Sequence, residues 1–290
     1  MSNDKTESRV TGEEAIVQGT FAPLARGFAG AFGLQDDCAL ITPQPGTELV
    51  LKTDPVAEGV HFLPDDTPED IAWKALAVNI SDLTAKAATP IGYLMALSFP
   101  EPPSPTWLAA FARGLEQAQQ RFGCHLIGGD TDRRPGPLTI TITAVGWVPQ
   151  GRMVRRGTAR AGEAIFVSGT LGDAALGLAL RRNAALAASW GLSAAEAQHL
   201  RQRYTRPEPR LGLAEALREH ASAAMDISDG LAKDLGRLCR ASGCAGRVQF
   251  ADLPLSPAAA KALAADPRRV ETIAGGGDDD RVAWLDEGCR

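Results

Sequence analysis

No stretch of this chain approaches about 18 consecutive apolar residues, so no membrane-spanning helix is expected. A basic block is also missing. Thirty lysines and arginines stand against 35 aspartates and glutamates, for a net charge of -5, which argues against a nucleic-acid partner. The five cysteines, Cys38, Cys124, Cys239, Cys244 and Cys289, are odd in number and form no Cys-x-x-Cys pair. That excludes a disulfide framework and a zinc site as expectations and favours reduced thiols in the cytoplasm. Met1 to Arg9 is polar and lacks an apolar segment, so no secretory signal is expected. The phosphate-binding loop Gly-x-x-x-x-Gly-Lys-Ser/Thr is absent, as are the protein-kinase signatures and the Gly-x-Ser-x-Gly elbow. Acyl transfer therefore has no obvious nucleophile.

The hydrophobic fraction of 44% over 290 residues is enough for a sizeable core, and the length favours two modest domains over one large one. Leu49 to Leu51 reads as a buried strand that delivers Thr53 and Asp54 at its end. From Pro68 the spacing of Ile71, Ala75, Val78 and Asp82 predicts a helix that ends before Pro90. Leu94 to Phe99 reads as a strand. Pro105 to Phe122 reads as an amphipathic helix stopped at Gly123, and Leu126-Ile127 as a short strand broken by Gly128-Gly129. Leu138 to Val145 alternates threonine with aliphatic residues, the mark of a half-buried strand. Composition shifts to arginine and glycine over 151–162, where the domain boundary is expected, giving 1–150 and 151–290. Beyond it a strand over 164–167 is followed by a helix over 173–182, and 184–197 reads as helical surface. A strand over 223–227 leads into a helix over 231–242, and a further strand is expected over 247–250. Strands alternating with helices in both halves predict an α/β (α+β) fold of two domains: an N-terminal mixed sheet with helices on one side and a C-terminal α/β sandwich.

Seven acidic clusters punctuate these elements: Asp36-Asp37, Thr53-Asp54, Glu58 to Phe62 with His61 inside it, Ser81-Asp82, Gly128-Gly129-Asp130-Thr131, Asp226 to Gly230, and Asp278 to Asp280. Carboxylate oxygens hold hard divalent cations such as Mg²⁺, and such ions carry phosphates. Spread over the chain, the acids can form one site only if folding gathers them. Each has a structural alternative. Asn79 and Asp82 share one helix face and serve equally as a polar surface or as a ligand in a cleft. Gly128-Gly129-Asp130-Thr131 serves as a plain turn or as a turn whose N–H groups cradle phosphate. Ser228 or Asp229 caps the following helix, which is compatible with ligation. A lone histidine such as His61 is more often structural than catalytic. Arg152, Arg155 and Arg156 form a small basic cluster suited to a phosphate or to solvent.

In this order the segments LQDDCALI at 34–41, KTDPVAEGVHF at 52–62, WKALAVNISDLTAKAATP at 73–90, LIGGDT at 126–131, GRMVRRGTARAGEAIFVSGTLGDAALGL at 151–178 and MDISDGLAKDLGRL at 225–238 resemble the thiamine-monophosphate kinases. These belong to the aminoimidazole ribonucleotide synthetase-like superfamily of ATP-using enzymes. The resemblance implies Mg²⁺- and ATP-dependent phosphorylation of thiamine monophosphate to thiamine diphosphate. It also implies a homodimer formed through the N-terminal domains. Carried over by position, Asp37, Thr53, Asp54, Asp82, Asp130, Asp226 and Asp229 would be magnesium ligands. Gly129, Asp130, Arg156 and Ser228 would contact ATP, and His61 and Asp278 would contact the thiamine substrate. No protein nucleophile is implied, because phosphoryl transfer rests on alignment and charge neutralisation.

Four positions depart from the family pattern. Gln35 replaces a glycine. Lys52 stands where serine or threonine is common, and Lys86 where methionine is common. Gly276 to Val282 lacks the family's tyrosine and glutamate. Members also usually continue a few tens of residues past the position of Arg290, through an aromatic that packs on the substrate. Two other expectations therefore stay open: another ATP-using member of the superfamily, and a nucleotide- and metal-binding homologue that no longer turns over.

Overall fold

The computed structural model describes residues 12–275 and the backbone of 281–286. The backbone divides into two compact units, Met1–Asn79 with Pro90–Trp147, and Ile80–Thr89 with Val148–Arg290.

The first unit opens with helix α1 (Glu13–Ile16) and short turns of π- and 3-10 helix over Val17–Phe21, Ala22–Ala25 and Ala29–Leu34. A four-stranded sheet follows in the spatial order β1 (Thr47–Ala57), β4 (Thr139–Pro149), β2 (Thr89–Phe99), β3 (His125–Arg133). β2 and β3 run parallel, with Ala96 opposite Asp130. Helices α2 (Pro68–Ala85) and α3 (Pro105–Phe122) supply the apolar cover. The start of α3 is fixed by Ser104, whose hydroxyl accepts the N–H of Trp107 at 3.1 Å. Its end is fixed by Gly123, which takes the left-handed φ of 69°. Leu108, Phe111, Leu115 and Phe122 face inward and are buried. Gly114 lets α3 approach α2 closely, since a Cβ there would lie 2.6 Å from Glu69 Cα.

The second unit holds a three-stranded antiparallel sheet, β5 (Ala164–Val167), β7 (Arg281–Asp286), β6 (Ala221–Ile227), with β7 in the middle. Around it lie α4 (Asp173–Arg182), α5 (Leu186–Ser189), α6 (Ala194–Thr205), α7 (Ala214–His220), α8 (Leu231–Ser242), α9 (Pro257–Ala265) and α10 (Arg269–Gly275). Leu176, Leu180, Leu200, Ala259 and Ile273 share one buried cluster. The segment Ile80–Thr89 belongs to this unit for physical reasons. Ala85 and Ala87 pack with Val154, Leu217 and Ala224. Lys86 Nζ donates to Ala224 O at 2.7 Å, and Arg218 donates to Ala87 O at 2.8 Å.

The mixed α/β character agrees with the sequence reading, and three local expectations are corrected. Leu49 and Leu51 are exposed, not buried, because they lie on the open face of β1 while Val50 turns inward. Gly128-Gly129 does not break a strand; β3 runs through both. Residues 247–250 form no strand; a 3-10 turn over Phe250–Asp252 follows instead, and the sheet's middle position goes to β7. Among the described residues no helix is long and apolar enough to cross a membrane.

Gly114→Ala should lower stability by about 1–3 kcal/mol, because the added methyl has no room against Glu69 and Ala72. The urea unfolding midpoint measures this, and an unchanged midpoint would mean that the two helices separate freely.

Candidate functional site

In the first unit the acids are delivered by strands and by one pinned loop. The loop carrying Asp36 and Asp37 is closed at its base by Leu40 N–H, which donates to Gly30 O at 2.8 Å. Gln18 Nε2 also donates to Leu34 O at 2.9 Å. Asp36 and Asp37 line a cavity of about 590 Å³ together with Gly128, Gly129, Asp130, Thr131 and Thr143. The carboxylate of Asp130 accepts the N–H of Thr131 at 2.8 Å. Gly129 is demanded by packing, since a Cβ there would collide with the carbonyl oxygen of Met95. Thr53 reaches the same wall: its hydroxyl donates to Ile142 O at 3.1 Å and accepts from Thr143 at 3.0 Å.

Asp54 is fixed twice. Its N–H donates to Asn79 Oδ1 at 2.9 Å, and its carboxylate meets Lys52 Nζ at 2.8 Å. Asn79 is fully buried and anchors itself by donating to Ala75 O at 3.0 Å. It is therefore neither surface nor ligand, but the support of Asp54. His61 lies exposed beyond the end of β1. Its Nδ1 accepts the N–H of Ala57 at 3.0 Å, and its carbonyl accepts from the buried Lys74 at 3.0 Å. A neutral His61 thus carries its proton on Nε2.

In the second unit Asp226 is buried near the end of β6, and Asp82 is half-buried on α2. The turn after β6 is held by a residue that sequence reasoning missed, Asp234. Its fully buried carboxylate accepts the N–H groups of Ser228 at 3.0 Å and Asp229 at 2.8 Å, and pairs with Arg237 at 2.7 Å. Neither Ser228 nor Asp229 caps α8, contrary to expectation; the N-cap is Gly230 at φ 105°. The available signal was Asp234 in the first turn of α8, where a carboxylate meets unpaired N–H groups. Asp229 pairs with Lys233 at 2.9 Å and Arg237 at 2.6 Å. Lys233 first, and Arg237 after it, hold its carboxyl below the usual carboxylate range. Arg156 is exposed, and its carbonyl accepts from Ser242 at 3.1 Å. Asp278 lies outside the described residues.

The structure thus gathers Asp36, Asp37, Asp130 and Thr53 on one wall of the first unit, and Asp226, Ser228 and Asp229 on one turn of the second. Among the described residues no group of three or more histidine, cysteine, aspartate or glutamate side chains stands close enough to hold a metal ion. Mg²⁺ commonly uses one or two carboxylates with waters and substrate phosphates, and these aspartates offer the hard oxygens it prefers.

Residues 35–148 match the family described as AIR synthase related protein, N-terminal domain, and residues 160–276 match its C-terminal domain. The thiamine-monophosphate kinase of Caulobacter vibrioides is 43% identical over 261 residues, which is 89% of this chain and 72% of that protein. The chain belongs to the thiamine-monophosphate kinase family. The enzyme of that name from Salmonella typhimurium is 45% identical over 78% of this chain and 67% of its own. The crystal structure from Stenotrophomonas maltophilia K279a superposes with a TM-score of 0.79 at 40% identity, covering 87% of this chain and 79% of that one. The AaThiL complex with AMPPCP and TMP gives a TM-score of 0.75 at 32% identity, covering 89% and 85%. Hydrogenase maturation protein HypE, at 17% identity and TM-score 0.74, shares the fold.

Because the Asp229 pKa is lowered by folding, its ion pairs stabilise the chain above the unfolded carboxyl pKa of about 4. That stabilisation is lost as pH falls through the lower folded value. Replacing Lys233 with alanine should lower stability slightly at neutral pH and leave the two curves converging below about pH 4, so that the acid limb of the variant is shallower. Thermal melts at pH 2–7 measure it, and parallel acid limbs would mean that the pair has no linkage.

Proposed function

We propose that this chain uses ATP to phosphorylate thiamine monophosphate, giving thiamine diphosphate and ADP. Family membership at 43% identity over most of the chain carries the reading, supported by a relative whose complex holds AMPPCP and TMP. An oxygen of the substrate phosphate attacks the γ-phosphorus in line, the bond to the β–γ bridging oxygen breaks, and ADP leaves with that electron pair. No side chain is required as a nucleophile.

Mg²⁺ is the cation we assign. Several such ions are assigned: Asp37, Thr53, Asp54 and Asp130 in the first unit and Asp82, Asp226 and Asp229 in the second would serve as ligands, and their hard oxygens suit Mg²⁺. When bound it supplies charge neutralisation at phosphate oxygens. The chain's own residues do the placing. Asn79 keeps Asp54 at a fixed height on β1, and Asp234 shapes the Ser228–Asp229 turn. Gly129, Asp130, Arg156 and Ser228 are assigned to ATP. His61 is assigned to the thiamine substrate, where its fixed tautomer presents Nε2–H as a donor to phosphate. Asp278 is assigned to the same substrate on sequence grounds alone. The domain assignment follows the same reading: 1–150 for metal, ATP and dimerisation, and 151–290 for the second α/β domain. The free thiols of Cys38, Cys124, Cys239 and Cys244 support a cytoplasmic setting.

A homodimer through the open face of the first sheet accounts for Leu49, Leu51 and Leu94, which are 43%, 67% and 40% exposed on β1 and β2. Leu51→Glu should yield monomers by light scattering while the wild type elutes as a dimer; a monomeric wild type would remove the assignment.

Purified chain with ATP, Mg²⁺ and thiamine monophosphate should release ADP, and no phosphoprotein should accumulate with ATP alone. Asp54→Asn should cut turnover about a hundredfold or more while shifting stability by only about 1 kcal/mol or less, because the pair it breaks is partly exposed. ATP binding without turnover in the wild type would favour the homologue that does no chemistry.

A further inference from the structure

We propose that Lys52 is a built-in cation that competes with divalent metal for the Asp54 carboxylate, and so sets the magnesium concentration this chain requires. The inference rests on the metal reading above and adds a residue to it. Lys52 and Asp54 are two apart on β1, so both side chains leave the same face of the strand. Their charged ends meet at 2.8 Å, with the lysine side chain 28% and the aspartate side chain 49% exposed. Lys52 is the single basic residue of β1. The neighbouring Thr53 points to the opposite face, where it bonds Thr143.

Asp54 cannot escape this contact by moving its main chain. Its N–H is held by the Oδ1 of Asn79, and that amide is buried and tied through its other end to Ala75 O. A metal ion must therefore come to a side chain rooted beside Lys52. It meets there an ammonium on a flexible four-carbon stem that it has to displace. A strongly hydrated ammonium at an exposed carboxylate is a weak competitor, so the effect is a shift in concentration and not a block. While metal is absent, the same ammonium offsets the charge of Asp54 and keeps the carboxylate aligned. Lys52 is thus a positioning residue.

The test is the thermal unfolding of the full chain titrated with MgCl₂ without nucleotide, run on wild type, Lys52→Met, Lys52→Arg and Asp54→Asn. Methionine keeps the apolar stem and removes the charge. The half-saturating MgCl₂ concentration should fall about two- to fivefold in Lys52→Met, in line with the modest strength of an exposed pair, and stay near the wild-type value in Lys52→Arg. The MgCl₂ requirement for ADP release should fall in parallel. A lysine with a structural role alone would lower the metal-free melting temperature of Lys52→Met and leave the half-saturating concentration unmoved, and that result overturns the proposal. If Asp54→Asn alone loses its response, the metal reading stands and Lys52 is excluded. If no variant responds to MgCl₂, including wild type, the metal reading at Asp54 fails and this proposal falls with it.

Discussion

A fully buried amide must have its hydrogen bonds met within the protein, and Asn79 meets its own by joining a helix to a strand. One end returns to the turn of α2 at Ala75, and the other takes the N–H of Asp54. The bond fixes the height of β1 against α2 at one of the residues assigned to the metal in the proposed chemistry. The apolar residues on either side, Leu76 and Ile80, are fully buried. Losing the bond would leave the buried Asn79 amide short of a partner, which is costly. The position of Asp54 is therefore set by the core, while its carboxylate remains accessible at the surface.

The same division of labour appears in the second unit. Asp234 is sealed from solvent, yet it shapes a turn whose members Ser228 and Asp229 are open. Buried polar groups hold backbone, and the more exposed carboxylates of Asp54 and Asp229 meet lysines at the surface. Three of the acids carry a local partner: Asp54 meets Lys52, Asp229 meets Lys233 and Arg237, and Asp130 accepts a backbone N–H. Phosphoryl transfer needs such a frame, because alignment and charge compensation, not a reactive side chain, lower its barrier.

Elements with strong local signals were legible residue by residue. Helix α3 carries its own cap at Ser104 and its own stop at Gly123, and α8 runs from Leu231 until Gly243 ends it. The readings that failed depended on neighbours. Leu49 and Leu51 look like core from composition, but strand alternation places them on an outward face. Gly128-Gly129 looks like a break, but β2 passes so close to Gly129 that a side chain could not fit. Strand β7 was hidden because a run rich in aspartate precedes it and its partners, β5 and β6, are distant in sequence.

The order and spacing of the acidic motifs, the two-domain α/β plan and the membership of the kinase family were determined by the sequence itself, since each depends on residues close together or on a pattern kept along the chain. Only the tertiary structure decided which groups hold the acids. Asn79 supports Asp54 from 25 residues away, Lys52 turns to Asp54 and not to solvent, and Asp234 governs a turn it does not belong to. Burial and reach across elements make those choices, and neither is encoded in local spacing.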